Sequence, residues 1–113
     1  MCGFAGFFSS ISYGSGDTLL LHKMGKAIES RGPDSSGAWL SSDNRIGLVH
    51  QRLAIVDLSP AGHQPMKSNS ERYIIVYNGE VYNHESLRAE LELISPRTWR
   101  GHSDTETLLA AIE

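Results

Sequence analysis

The chain has 113 residues, with 10 Lys and Arg against 13 Asp and Glu and a formal net charge of −3. That length allows one domain at most. The acidic balance excludes a nucleic-acid or anionic-membrane surface as its main business, and a single cysteine excludes an internal disulfide and a cysteine-based zinc site.

Phe4–Phe8 reads as a short buried strand, and the Ser- and Gly-rich stretch Ser9–Gly16 as a loop. Asp17 then offers an N-cap for a helix whose apolar face is Leu20, Leu21, Met24, Ala27 and Ile28. Arg31-Gly32-Pro33-Asp34 ends that helix. Two strands are expected near Ser36–Leu40 and Arg45–His50, joined by a hairpin loop at Ser42-Asp43-Asn44. Gln51–Asp57 looks extended, and Leu58–Met66, with Pro60, Gly62 and Pro65, looks irregular. The β-prone run Tyr73-Ile74-Ile75-Val76-Tyr77 predicts a strand buried on both faces. It is followed by the tight-turn dipeptide Asn78-Gly79. Asn83 can cap a helix carrying Leu87, Leu91 and Ile94, stopped by Pro96. Ser103-Asp104-Thr105-Glu106 matches a capping box that opens a last helix with Leu108, Leu109 and Ile112 inward. That helical pattern still runs at Glu113, which suggests part of a longer domain.

The five histidines have no metal-ligand spacing, and no phosphate-loop motif is present. No apolar run approaches the roughly 20 residues of a membrane span. The apolar start lacks a basic lead-in, so it does not read as a signal peptide. A cytoplasmic protein without a membrane or nucleic-acid partner is expected.

Cys2 is the first chemical candidate. Removal of Met1 before so small a residue would place a thiol and a free α-amine on one residue. With a reference pKa of about 7.7–8.0, that amine can take the thiol proton and return it to a leaving group. The competing role is a small buried strand residue. Asn78 and Gly79 offer a side-chain amide and a backbone N–H that can converge as an oxyanion hole, or form only a turn. Arg52 suits a carboxylate, either a ligand's or a structural partner's. Asp104 suits either a helix start or a ligand ammonium. His50 or His63 could pair with Cys2, although no local signature supports a Cys–His dyad.

Six segments, taken in order, resemble the glutaminase domain of class II glutamine amidotransferases, within the N-terminal nucleophile hydrolases. They are Met1-Cys2-Gly3, Arg31-Gly32-Pro33-Asp34, the run from His50 to Asp57, Gly62-His63-Gln64-Pro65-Met66, the run from Tyr77 to His84, and Ser103-Asp104-Thr105-Glu106. The match looks most like the glutamine-hydrolysing asparagine synthetase branch.

The resemblance implies an α+β fold, the αββα sandwich of that superfamily, of which residues 1–113 would be the N-terminal part. It makes Cys2 the nucleophile and Asn78 and Gly79 the oxyanion donors. Arg52 would hold the carboxylate of L-glutamine, Glu80 and Asp104 its ammonium. Leu53, Ile55 and Val56 would line the pocket, and the Arg31–Asp34 turn would brace it. No metal or cofactor is expected in this domain. ATP and magnesium would belong to a synthetase domain absent here, in the same polypeptide or a partner subunit. The resemblance further implies an exposed sheet face or edge, covered by the rest of the domain or by a second copy. Trp99-Arg100-Gly101-His102 is similar to amidotransferases that amidate a sugar carboxylate for surface polysaccharide. Three activities follow as alternatives: a glutaminase, a non-catalytic fragment binding glutamine or a partner, and a Cys–His hydrolase.

Overall fold

The computed structural model describes residues 2–10, 16–55 and 57–113. The elements in order are β1 (Gly3–Phe8), α1 (Gly16–Ala27), β2 (Ser35–Leu40), β3 (Ile46–Arg52), β4 (Met66–Lys67), β5 (Ile74–Ile75), α2 (His84–Ile94) and α3 (Asp104–Ile112). This is a mixed helix and sheet domain, consistent with the expected α+β class.

β3 is the centre of a three-stranded antiparallel sheet, between β1 and β2. Its register sets Ala5 and Ala38 beside Val49, and Phe4 and Gly37 beside His50. Since successive side chains alternate faces, Val49 and Gln51 point one way, His50 and Arg52 the other. α1 covers the first face. Leu21, 3% exposed, packs over Gly47, and Gln51 Nε2 donates to Gly25 O (3.1 Å) and Ser36 Oγ (3.0 Å). The second face is covered only in part. Loop 57–64 lies over its Arg52 and Gly37 end, while Phe4 is 49% exposed and Phe8 73%. The expectation of a buried first strand therefore fails on one face, and the expectation of an exposed sheet face holds.

The predicted β2–β3 hairpin is present. Its turn is closed by Ser41 Oγ, which accepts from the N–H groups of Arg45 (3.1 Å) and Ile46 (3.0 Å), with Asn44 in the left-handed region at φ 58°. Gly32 has a packing reason. A Cβ there would lie 2.3 Å from Gln51 O, so the turn after α1 is pressed onto the β3 backbone.

Several local readings need correction. α1 begins at Gly16, which places Asp17 in its first turn rather than at its cap. Leu20 and Ala27 are exposed; Leu21, Met24 and Ile28 form the covered side. The Ile11–Ser15 part of the predicted loop lies outside the described residues. β3 stops at Arg52, and the chain leaves the sheet there. Of Tyr73–Tyr77 only Ile74 and Ile75 pair, with Met66 and Lys67, and all five residues are half-buried. Asn78-Gly79 joins no hairpin, because α2 follows it. Asn83 stands at the α2 cap without a capping side-chain bond. Ile94 and Ile112 are 80% and 55% exposed.

α2 and α3 pack side by side around one arginine. Arg88 on α2 donates to Thr107 Oγ1 (2.7 Å), Gly101 O (2.7 Å) and Ser103 O (2.8 Å), sits 3.6 Å from the Glu106 carboxylate, and stacks 4.1 Å over the Trp99 ring. The capping box is present in half. Ser103 Oγ accepts from Thr105 N–H at 3.1 Å. Glu106, 4% exposed, reaches past Ser103 to accept from the N–H groups of Arg100 (2.7 Å) and Gly101 (3.1 Å).

Candidate active site

The β1–β3 register pairs Gly3 with Gln51, so Cys2 falls opposite Arg52 and on the same face of the sheet. Just past the end of β3, Leu53 N–H donates to Cys2 Sγ at 3.2 Å, and the thiol faces Leu53 O at 3.4 Å. Leu53 is itself held from outside. Asp34 Oδ2 accepts from Ala54 N–H (2.8 Å), and Asp34 N–H donates to Arg52 O (2.9 Å). The Arg31–Asp34 turn thus fixes the peptide that faces the thiol.

Cys2 lies on the wall of a cavity of about 310 Å³, at the small end of the range for ligand sites. Arg52, Leu53, Ile55, Asn78, Gly79, Glu80 and Asp104 share that wall. Seven of the eight residues singled out beside Cys2 are therefore brought together; Val56, the eighth, lies outside the described residues. Neither His50 nor His63 lines the cavity, which leaves a Cys–His dyad without support.

The charges are arranged for a zwitterion. Arg52, 9% exposed, spends two guanidinium nitrogens on main-chain carbonyls: Nη1 on Ser59 O at 2.8 Å and Nη2 on Asp57 O. Neutral partners fix the plane of the group without cancelling its charge. Asp104, 6% exposed at the first position of α3, accepts from Val81 N–H through Oδ2 (2.8 Å), which brings it beside Glu80, an exposed residue of the same cavity wall. Arg52 and the carboxylates of Glu80, Asp104 and Asp57 thus line the same volume, with both Asp57 oxygens already accepting main-chain N–H groups.

Sequence reasoning missed Asp57 and Gln64, both 6% exposed and both on the cavity wall. Asp57 Oδ2 accepts from His102 N–H (2.6 Å), and Oδ1 from Ser59 N–H (2.8 Å). Burial alone would push the Asp57 carboxyl up. The Ser59 hydroxyl, the His102 and Ser59 N–H groups and the Arg52 charge outweigh it and hold the value at about 2, against an ordinary 3.8. A folded-state value below the unfolded one stabilises the fold wherever the pH exceeds the unfolded value, and that gain is lost as pH falls toward the folded value. The ionised form should therefore contribute about 2 kcal/mol above about pH 4, lost between about pH 4 and pH 2. Urea unfolding from pH 5 down to 2 should show this limb in the native chain and a flatter one in Asp57→Asn. Equal limbs in the two would contradict the assignment.

His50 lies beneath the site and is 1% exposed, with neither ring nitrogen hydrogen-bonded among the described residues. Burial pushes its imidazole down, and the His63 and Arg52 charges add to the lowering. Among the described residues no group of three or more His, Cys, Asp or Glu side chains converges to hold a metal ion. No described helix is long and apolar enough to cross a membrane.

Comparison with known proteins places this geometry in context. The sequence profile of the glutamine amidotransferase domain matches residues 1–113. The chain is 40% identical over 112 residues to glutamine-hydrolyzing asparagine synthetase 1 of Bacillus subtilis (strain 168), covering 97% of this chain and 17% of that protein. It is 37% identical over 113 residues to a probable glutamine-hydrolyzing asparagine synthetase of Dictyostelium discoideum (100% and 20%). Against the glutamine-hydrolyzing asparagine synthetase B of Escherichia coli (strain K12) the identity is 38% over 114 residues (97% and 19%). The chain thus spans a fifth or less of the length of these relatives. With a profile match along its whole length, the chain belongs to the glutamine amidotransferase domain family.

Proposed function

We propose that this domain hydrolyses L-glutamine to glutamate and ammonia, with Cys2 as nucleophile once Met1 has been removed. The observation that carries the reading is the position of the Cys2 thiol, against Leu53 N–H in a cavity whose wall also holds Arg52, Asn78, Gly79, Glu80 and Asp104. Arg52 binds the α-carboxylate, and Glu80 and Asp104 the α-ammonium. This leaves the side-chain amide directed at Cys2.

The freed α-amine of Cys2 takes the thiol proton. The thiolate adds to the amide carbon, and the oxyanion faces the Asn78 side-chain amide and the Gly79 N–H. The tetrahedral adduct collapses, the C–N bond breaks, and ammonia leaves with the proton returned by the α-ammonium. Water then attacks the thioester and releases glutamate. The same reading takes the fold as the N-terminal part of an αββα sandwich of the N-terminal nucleophile hydrolases. Ammonia passes to a synthetase domain, in the same polypeptide or a partner subunit, that uses ATP and magnesium. The names of the relatives favour an asparagine-forming enzyme, working in the cytoplasm.

Intact mass spectrometry before and after treatment with a diazoketone analogue of glutamine tests the reading. A chain lacking Met1 should gain one adduct at Cys2, blocked by excess glutamine. Arg52→Lys keeps the charge but loses the planar fork, so protection should need about tenfold more glutamine. A processed chain that binds glutamine yet gains no adduct would instead be a non-catalytic binding domain.

A further inference from the structure

Gln64 is assigned no part in the chemistry above, yet its amide ties the two walls of the cavity to each other through both ends, alongside the direct bond from Val81 N–H to Asp104. Its Oε1 accepts from Tyr77 N–H at 2.6 Å, and its Nε2 donates to Thr105 Oγ1 at 3.2 Å. Tyr77 immediately precedes Asn78 and Gly79, and Thr105 immediately follows Asp104. The orientation of the amide is fixed by chemistry. A main-chain N–H can only donate, so the oxygen must face Tyr77 and the nitrogen is left for the Thr105 hydroxyl, which accepts.

Gln64 cannot yield easily. It is 6% exposed, and its own carbonyl is pressed so close to β2 that a Cβ on Gly37 would lie 2.0 Å from it. Each wall is thereby referred to the rigid three-stranded sheet that carries Cys2 and Arg52. A buried amide with both ends satisfied is costly to leave half-paired.

We infer that Gln64 is a positioning residue, whose side-chain amide sets the spacing between the oxyanion donors at Asn78–Gly79 and the ammonium-binding carboxylate of Asp104. The inference rests on the glutaminase reading. It predicts a division of effects. Thr105→Val keeps the shape and severs only the bond on the Asp104 side. It should raise the glutamine KM about fivefold, the worth of one ordinary hydrogen bond, with kcat within about twofold. Gln64→Met keeps the volume and severs both bonds. Because it also frees the oxyanion wall, it should lower kcat about 10- to 100-fold in addition to raising KM.

The experiment is steady-state glutaminase kinetics of the full chain and both variants, each normalised to the fraction of Cys2 labelled by the diazoketone analogue. Normalisation removes any loss that comes from misfolded molecules. A scaffold role would leave both constants unchanged per labelled site, and that result overturns the inference while the glutaminase reading stands. Should Gln64→Met fail to fold, Thr105→Val decides: an unchanged KM overturns the inference. A native chain that neither turns over glutamine nor takes the label overturns both readings.

Discussion

Cys2→Ala is expected to abolish glutamate release, lowering kcat at least about 10,000-fold. Among the described residues the thiol is the only nucleophile at the Leu53 end of the cavity, and the remaining groups can bind and polarise the amide but cannot form the thioester. Glutamine binding should survive, because Arg52 and Asp104 are fixed by partners that do not include Cys2: Ser59 O and Asp57 O for the guanidinium, Val81 N–H for the carboxylate. Calorimetry and a coupled glutamate assay on one preparation separate the two quantities. Full turnover in Cys2→Ala would sink the mechanism. His63→Ala should turn over normally, since the imidazole is exposed and off the cavity wall.

Arg88→Ala is expected to have the largest effect on stability, about 3–5 kcal/mol. The substitution leaves the Glu106 carboxylate, 4% exposed, without its buried cation. It also strips a donor from Gly101 O, Ser103 O and Thr107 Oγ1, and the latter residue is wholly buried. Arg100 Nε, at 3.5 Å from Glu106, is on a half-exposed side chain and replaces little of this. Arg88→Lys should recover only a minor part, because a single ammonium cannot span three acceptors set around a planar fork. Urea midpoints measure both variants. A loss under about 1 kcal/mol in Arg88→Ala would show that α2 and α3 are held by their apolar contacts instead.

These two residues mark what a sequence does and does not disclose. That Cys2, Arg52, Asn78, Gly79, Glu80 and Asp104 share one cavity wall was legible because their motifs follow one another in order along the chain. β1, α1 and the β2–β3 hairpin were legible because alternation, helical spacing and turn residues are local signals. Arg88 was not, because on a helix with many charges it looks like a solvated residue; two of its partners are main-chain oxygens, which carry no residue-type signal, and the others lie on a later helix and the loop before it. Asp57 and Gln64 were hidden for a related reason: each accepts from a main-chain N–H well along the chain, His102 for Asp57 and Tyr77 for Gln64. The Tyr73–Tyr77 run misled in the opposite direction. Its composition announces a strand buried on both faces, but pairing and burial depend on what lies beside it, and here only Met66 and Lys67 pair with it as a strand.

The bonds that close the cavity join residues far apart in the chain: Cys2 and Leu53 across 51 positions, Asp57 and His102 across 45, Gln64 and Thr105 across 41. Contacts of such range form late in folding, because each must first overcome the entropy of closing a long loop. During synthesis the ribosome therefore releases Cys2 first and the carboxylate of Asp104 about a hundred residues later, which at about 5–20 residues per second is a delay of roughly 5–20 s. Throughout that interval Met1 can be trimmed from an open chain end, while Cys2 has no completed pocket in which to act. On the glutaminase reading, processing of the amine and assembly of the binding site are thus separated in time, and a half-made chain is expected to release no ammonia.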